Sequence, residues 1–156
     1  MKITILNIAN KMPQWVNDIS NQYLQRINHG KYQCHLKEIK TDKQKNTSKI
    51  KNMELEAQKF EEQIKSDSFI IVLDENGRGY NSEQLAKCFE DIAMQQSNIN
   101  IIIGGADGIH PRLKTKANLM IKLSDLTFPH TLVRVIILEQ IYRIISILEN
   151  HPYHRE

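Results

Sequence analysis

Three stretches of this 156-residue chain carry groups suited to chemistry, and all lie beyond residue 100. The first is Ile103-Gly104-Gly105-Ala106-Asp107-Gly108, which follows an apolar run. Glycines there permit positive φ and let a ligand approach the main chain closely. A dinucleotide fingerprint would need glycine where Ile103 stands, and no Gly-Lys-Ser/Thr occurs, so neither a Rossmann cofactor nor a P-loop nucleotide is indicated. On spacing alone, a tight strand-to-helix turn without a ligand explains the cluster equally well.

The second stretch is Thr131 to Glu149. Projected as a helix, it gathers Glu139, Gln140, Arg143 and Ser146 on one side, with Glu139 and Arg143 spaced for an i,i+4 pair. The remaining circumference is apolar, and Arg134 falls in the middle of that arc. A guanidinium there must be paired or must face a polar pocket. One turn after His130, it could serve a phosphate, a substrate carbonyl or a cofactor carboxylate, or form a structural salt bridge; the sequence does not separate these. The apolar arc is wider than packing on one sheet face requires, which points either to deep burial or to a dimer interface. The third stretch is the terminal His151-Pro152-Tyr153-His154-Arg155-Glu156. Free ends are usually small and polar; this one suits a tail that docks on a pocket and supplies stacking and hydrogen-bonding groups. No cysteine or carboxylate constellation accompanies His130, His151 and His154 at ligand spacing, so no metal is expected.

The elements that would position these groups alternate along the chain. Lys2 to Ala9 reads as a strand, and Gln14 to Asn28 as a helix with Trp15, Ile19, Tyr23 and Ile27 at helical spacing, begun by Pro13. Tyr32 to Ile39 alternates as a second strand. Residues 41 to 49 are polar and lysine-rich, a loop whose lysines either contact phosphate or are merely solvated. A helix carrying Ile50, Met53, Ala57, Phe60 and Ile64 follows. Ser68 to Asp74 is a buried strand, Asn76 to Gly79 a glycine-bearing turn, and Asn81-Ser82-Glu83-Gln84 a capping box opening a helix to about Gln95. Then come a strand over Asn100 to Ile103, a short helix over Pro111 to Ala117, a strand over Leu119 to Ser124 and the long final helix. This alternation predicts an α/β fold, a mainly parallel sheet with helices on both faces, in one domain over residues 1–156. In such folds ligands bind at the strands' carboxyl ends, where Leu73, Gly104 and Ser124 all fall.

Bulk composition narrows the class without deciding it. The chain is 40% hydrophobic and 25% charged, as ordinary globular proteins are. Cys34 and Cys88 are far apart in apolar patterns and no signal peptide is visible, so free thiols and a cytoplasmic location are expected. Arg134, Glu139 and Arg143 exclude a membrane span for the last helix. The net charge of +3 is compatible with nucleic acid but does not require it.

Taken together, several segments resemble one family. They are Leu73-Asp74-Glu75 with Gly77; Ser82-Glu83; Ile103 to Gly108; Leu123-Ser124-Asp125-Leu126-Thr127-Phe128-Pro129-His130; Arg134-Val135; Glu139 to Arg143; and the terminal His-Pro-Tyr-His-Arg-Glu. The family is that of ribosomal RNA large subunit methyltransferase H, in the SPOUT superfamily, and the similarity covers the whole chain. It implies a SPOUT-type C-terminal trefoil knot, against the usual absence of knots. It also implies a homodimer and transfer of a methyl group from S-adenosylmethionine to N3 of a pseudouridine in 23S rRNA, on the assembled 70S ribosome. The cofactor contacts carry over to Leu73, Gly104, Leu123, Ser124, Asp125, Leu126, Thr127 and Phe128. His130, Tyr153, His154 and Arg155 become candidate catalytic groups, and Arg134, Tyr142 and Arg143 candidate substrate contacts; the general base stays unassigned. The alternatives are a ribosome-binding module without activity, or a methyltransferase on this fold with another RNA or small-molecule substrate.

Overall fold

A computed structural model describes residues 1–41 and 47–154, with only the backbone of residue 154. The element order is β1 (Lys2–Ile8), α1 (Gln14–Ile27), β2 (Gln33–Ile39), α2 (Lys49–Gln63), β3 (Phe69–Arg78), α3 (Ser82–Gln95), β4 (Asn98–Ile103), α4 (Pro111–Lys116), β5 (Leu119–Ile121) and α5 (His130–Leu148), closed by a 3-10 turn, Pro152–His154. The five strands form one sheet in the order β2-β1-β4-β3-β5, and every pairing is parallel. The expected α/β architecture is therefore present.

Strand alternation divides the core into two layers. Ile3, Ile5, Ile71, Ile99 and Ile101 face one side with Phe89, Leu138, Ile141 and Ile144, so α1, α3 and α5 cover that face. Leu6, Ile8, Val72 and Ile102 face the other with Ala57, Phe60 and Leu113 of α2 and α4. Each strand's side chains point alternately to opposite faces, and helices on both faces leave the strands apolar throughout. The helix starts behave as their residues dictate. The Asn81 side chain accepts the Gln84 N–H at 2.8 Å while the Gln84 side chain accepts the Asn81 N–H at 3.1 Å, a complete capping box.

Two expected helix faces are corrected. On α1 the buried positions are Val16, Ser20 and Ile27, whereas Trp15 is 46% exposed. Ser20 can be buried because its hydroxyl donates to the Val16 carbonyl at 2.6 Å and accepts from Arg134. On α5 Ser146, expected on the polar side, is also buried, its hydroxyl donating to the Tyr142 carbonyl at 2.8 Å. Both serines satisfy themselves on their own helix, which helical projection does not register.

Candidate functional site

The site begins with an irregularity in β3. Leu73 pairs with Ile121 of β5, the register then slips, and Arg78 pairs with Ile121 again. Residues 74–77 bulge out between these two pairings. The turn expected at Asn76 to Gly79 is thus an interruption within a strand that resumes. Gly77 lies where a Cβ would sit 2.5 Å from the Ile121 carbonyl carbon and 2.7 Å from the Lys122 nitrogen, so no side chain fits. The bulge swings Asp74 into a cleft at the carboxyl ends of the strands. Asp74 Oδ1 accepts the Asn76 N–H at 3.0 Å, and Oδ2 receives the Lys114 ammonium at 2.6 Å. Burial works to raise the Asp74 pKa, but Lys114 and the Asn76 amide outweigh it and hold the carboxyl below its ordinary range.

The second wall is the glycine loop after β4. A Cβ on Gly104 would lie 2.5 Å from Ile109 Cγ1, and one on Gly105 would lie 2.9 Å from Glu56 Oε1. Gly108 has φ +87°, and its N–H closes the turn on the Gly105 carbonyl at 3.1 Å. Packing and turn geometry therefore account for these glycines locally, while the loop's outer surface faces the cleft. His110 ends the loop, its Nδ1 accepting the Arg112 N–H at 3.1 Å to cap α4.

The third wall is Leu123 to Phe128, between β5 and α5. Ser124 Oγ accepts the Leu126 N–H at 2.9 Å, and Lys122 pairs with Asp125, lowering the Asp125 pKa through that hydrogen bond. Leu126 is 73% exposed. The strand expected to reach Ser124 ends at Ile121. Around these walls lie two adjoining hollows. One, of about 580 Å³, is lined by Leu73, Asp74, the glycine loop, Lys114, Phe128 and His130. The other, of about 360 Å³, is lined by Leu73 and the whole of Leu123 to Phe128. Leu73, Asp74, Glu75, Phe128 and Val133 border both, which makes them one cleft. Its size suits a ligand of cofactor dimensions.

All eight residues expected at the cofactor site, Leu73, Gly104 and Leu123 to Phe128, border this cleft, as does the exposed His130. Of the other candidates among the described residues, Arg134, Tyr142, Arg143 and Tyr153 are not among those lining it. Tyr142 and Arg143 sit twelve and thirteen residues after His130 on α5, roughly 18 Å along its axis at 1.5 Å per residue. There Tyr153 packs edge-on against Tyr142 with ring centroids 4.5 Å apart, beneath the Arg143 guanidinium. Arg143 pairs with Glu139 at 2.9 Å, the expected i,i+4 pair, and the Tyr153 hydroxyl reaches Glu139 at 3.4 Å. Burial and a hydrogen bond with Tyr23 push the Tyr153 phenol up to about 12. The His154 side chain and Arg155 lie outside the described residues.

Arg134 takes the structural alternative. Its side chain is 4% exposed, Nε donates to Ser20 at 3.1 Å, and the terminal nitrogens donate to Glu38 and to Asn17. The guanidinium ties α5 to α1 and β2, and it is not among the residues lining the cleft. Sequence reasoning missed Lys114 as part of the cleft, because a lysine on a short exposed-looking helix carries no pattern of its own. Among the described residues no group of three or more His, Cys, Asp or Glu side chains is placed to hold a metal, and no helix is long and apolar enough to cross a membrane. Cys34 and Cys88 are free thiols.

Comparison with known proteins follows the same outline. A family model described as predicted SPOUT methyltransferase matches residues 1–154. Full-length relatives named ribosomal RNA large subunit methyltransferase H include those of Neisseria gonorrhoeae, 41% identical, Laribacter hongkongensis, 40% identical, and Chromobacterium violaceum, 39% identical. In each comparison the alignment covers all of this chain and all of the relative.

Proposed function

This chain belongs to the SPOUT methyltransferase family, and on that premise we propose that it methylates large-subunit ribosomal RNA using S-adenosylmethionine. The observation that carries the reading is the cleft in which Leu73, the Gly104 loop and Leu123 to Phe128 converge from three neighbouring strands. The target in this proposal is N3 of a pseudouridine in 23S rRNA within the 70S ribosome. The proposal includes a C-terminal trefoil knot, a homodimer and a cytoplasmic location.

The residues present suit the cofactor. The smaller hollow is lined by Leu123 to Phe128, whose main-chain groups would meet an adenine edge and ribose hydroxyls, with Leu73 and Phe128 as apolar walls. S-adenosylmethionine would supply an electrophilic methyl on a sulfonium. What the chain does is position: aligning an attacking nitrogen with that methyl is worth about 7–11 kcal/mol in favourable cases. The target base must be exposed before it can enter, as enzymes acting on bases require.

The N3 proton must also leave. His130 stands at the cleft, where an imidazole can accept a proton or hydrogen-bond the imide. Tyr153, with its phenol pushed up to about 12, serves as a donor or stacking group rather than a base at neutral pH. Within one chain Tyr142, Arg143 and Tyr153 stand about 18 Å from His130, too far to touch the same base. A second copy bringing its tail to this cleft resolves that separation, and the exposed Trp15 and Leu132 leave apolar surface for such a contact.

The test is calorimetry with S-adenosylmethionine, followed by transfer of labelled methyl to 70S particles, free 23S rRNA and small molecules. Binding and labelling of 70S particles are expected. Absence of binding at millimolar cofactor refutes the enzyme reading and favours a ribosome-binding module. Labelling of free RNA or small molecules but not 70S particles refutes the substrate.

A further inference from the structure

We infer that the Asp74–Lys114 pair is the binding subsite for the zwitterionic amino-acid end of the cofactor. The inference rests on the S-adenosylmethionine reading and deepens it. The smaller hollow of the cleft is lined by Leu73 and the Leu123 to Phe128 segment, with Lys122 paired to the exposed Asp125 and with Asp74 and Glu75 shared between the two hollows. The larger hollow carries Lys114 and Lys49 together with the carboxylates of Asp74, Glu75 and Asp107. Each hollow thus holds one lysine–carboxylate pair, and Asp74–Lys114 is the more buried of the two, its carboxylate 9% exposed against 88% for Asp125.

The pair is arranged to receive a zwitterion. An α-amino acid bears an ammonium and a carboxylate on one carbon, and it matches a fixed ion pair when the two align head to tail. Lys114 Nζ and Asp74 Oδ2 stand 2.6 Å apart, with side chains 30% and 9% exposed. An ammonium has three donors and an ionised carboxylate about four acceptor sites. Lys114 spends one donor on Asp74, and Asp74 accepts that bond and the Asn76 N–H. Both partners therefore keep capacity for a second charge, in a partly buried setting where such hydrogen bonds are stronger than in water. The Asn76 amide also keeps Asp74 ionised and oriented, so the carboxylate is ready for an incoming ammonium.

The chief competitor is an RNA phosphate. Among the described residues Asp74, Glu75 and Asp107 line the same hollow as Lys49 and Lys114, so a purely anionic group would meet carboxylates as well as ammonium groups there. A group carrying both signs avoids that conflict. A role limited to bracing is the other competitor. The pair does join the β3 bulge to α4, but both residues are among those lining the cleft.

The experiment compares S-adenosylhomocysteine with 5′-methylthioadenosine, which shares the nucleoside and thioether but lacks the amino-acid group. Calorimetry would use the full chain as wild type, Asp74→Asn, Lys114→Met and Lys114→Arg. The wild type should prefer S-adenosylhomocysteine by about tenfold or more, the factor expected of one charge-assisted hydrogen bond. Lys114→Met and Asp74→Asn should collapse that preference to within about twofold while leaving methylthioadenosine affinity nearly unchanged, and Lys114→Arg should largely keep it. Retained methylthioadenosine binding also certifies that each variant is folded. Parallel weakening of both ligands would mean the pair only braces the wall, and an unchanged preference would place the amino-acid end elsewhere; either overturns the inference. A wild type that binds both ligands equally overturns this inference alone. One that binds neither at millimolar concentration removes the methyltransferase reading as well.

Discussion

Replacing Arg134 by leucine separates a structural guanidinium from a functional one. In the structure it makes three side-chain hydrogen bonds, to buried Ser20, to half-exposed Glu38 and to Asn17 at a long 3.4 Å. A hydrogen bond involving a charged group contributes about 1.5–3 kcal/mol. Breaking a fully buried ion pair removes about 3–5 kcal/mol, but the Glu38 side chain is 40% exposed and rehydrates, so the ionic part is discounted. Leucine recovers some apolar contact at this buried position. The net loss should be about 3 kcal/mol, a large share of a stability of about 5–15 kcal/mol. With a urea slope of about 2 kcal/mol/M, the unfolding midpoint should fall by about 1.5 M. Midpoints must be compared at equal chain concentration, because association would shift them. Cofactor affinity measured well below the new midpoint should stay within about twofold, since Arg134 is not among the cleft-lining residues. A midpoint shift under about 0.3 M, or a large loss of ligand affinity in a fully folded variant, would refute the structural assignment.

Gly77→Ala should destabilise by about 1–3 kcal/mol in the same assay, because its Cβ meets main-chain atoms that cannot step aside. Gly79→Ala is the control: its Cβ meets only the flexible Lys122 side chain, nearest at 3.1 Å, so Gly77→Ala must cost clearly more. Burial raises the Cys34 thiol from 9.0 to about 12. Native protein at pH 8 should therefore resist alkylation at Cys34 while urea-unfolded protein reacts fully. Because the folded pKa lies above the unfolded one, the neutral thiol's contribution is intact below pH 9.0 and is lost as pH rises toward about 12; urea midpoints of wild type and Cys34→Ala across that range should converge. Deleting residues 151–156 should abolish methyl transfer yet leave the thermal midpoint and cofactor affinity nearly unchanged, since Tyr153 rests on the outside of α5 and α1 through ring contacts, a long hydrogen bond to Glu139 and one with Tyr23. Loss of the fold would make the tail structural instead.

What the sequence made legible depended on the range of the interaction responsible. Strands over Lys2 to Ile8 and through Ile103 followed from local apolar runs, the Asn81 cap from a four-residue pattern and the Glu139–Arg143 pair from helical spacing. The β3 bulge was misread as a turn because the strand resumes only through pairing with Ile121, more than forty residues later. Ser20 looked ordinary because its burial answers Arg134, a partner 114 positions away. At the cleft, Leu73, Gly104 and Leu123 to Phe128 were grouped by the family's motifs, not by periodicity. Lys114 could not be grouped with Asp74 at all, because that pair exists only once α4 has been laid against the end of β3.

Helix α5 explains how the chemistry is distributed. Its first residue, His130, borders the cleft, and its fourth turn carries Tyr142 and Arg143, with Tyr153 docked on them. A rigid helix keeps those ends about 18 Å apart, so within one chain the cleft and Tyr153 as docked do not meet over a single base. On the proposed function the two requirements separate by molecularity. Ligand capture needs only the walls that one chain supplies, and its affinity should not change with dilution. Methyl transfer in that proposal needs a tail from a second copy, so specific activity should fall once the chain is diluted below the dimer dissociation constant, with cofactor saturating throughout. Constant specific activity in a demonstrably monomeric sample would mean that the tail leaves Tyr142 and folds back along its own α5 instead.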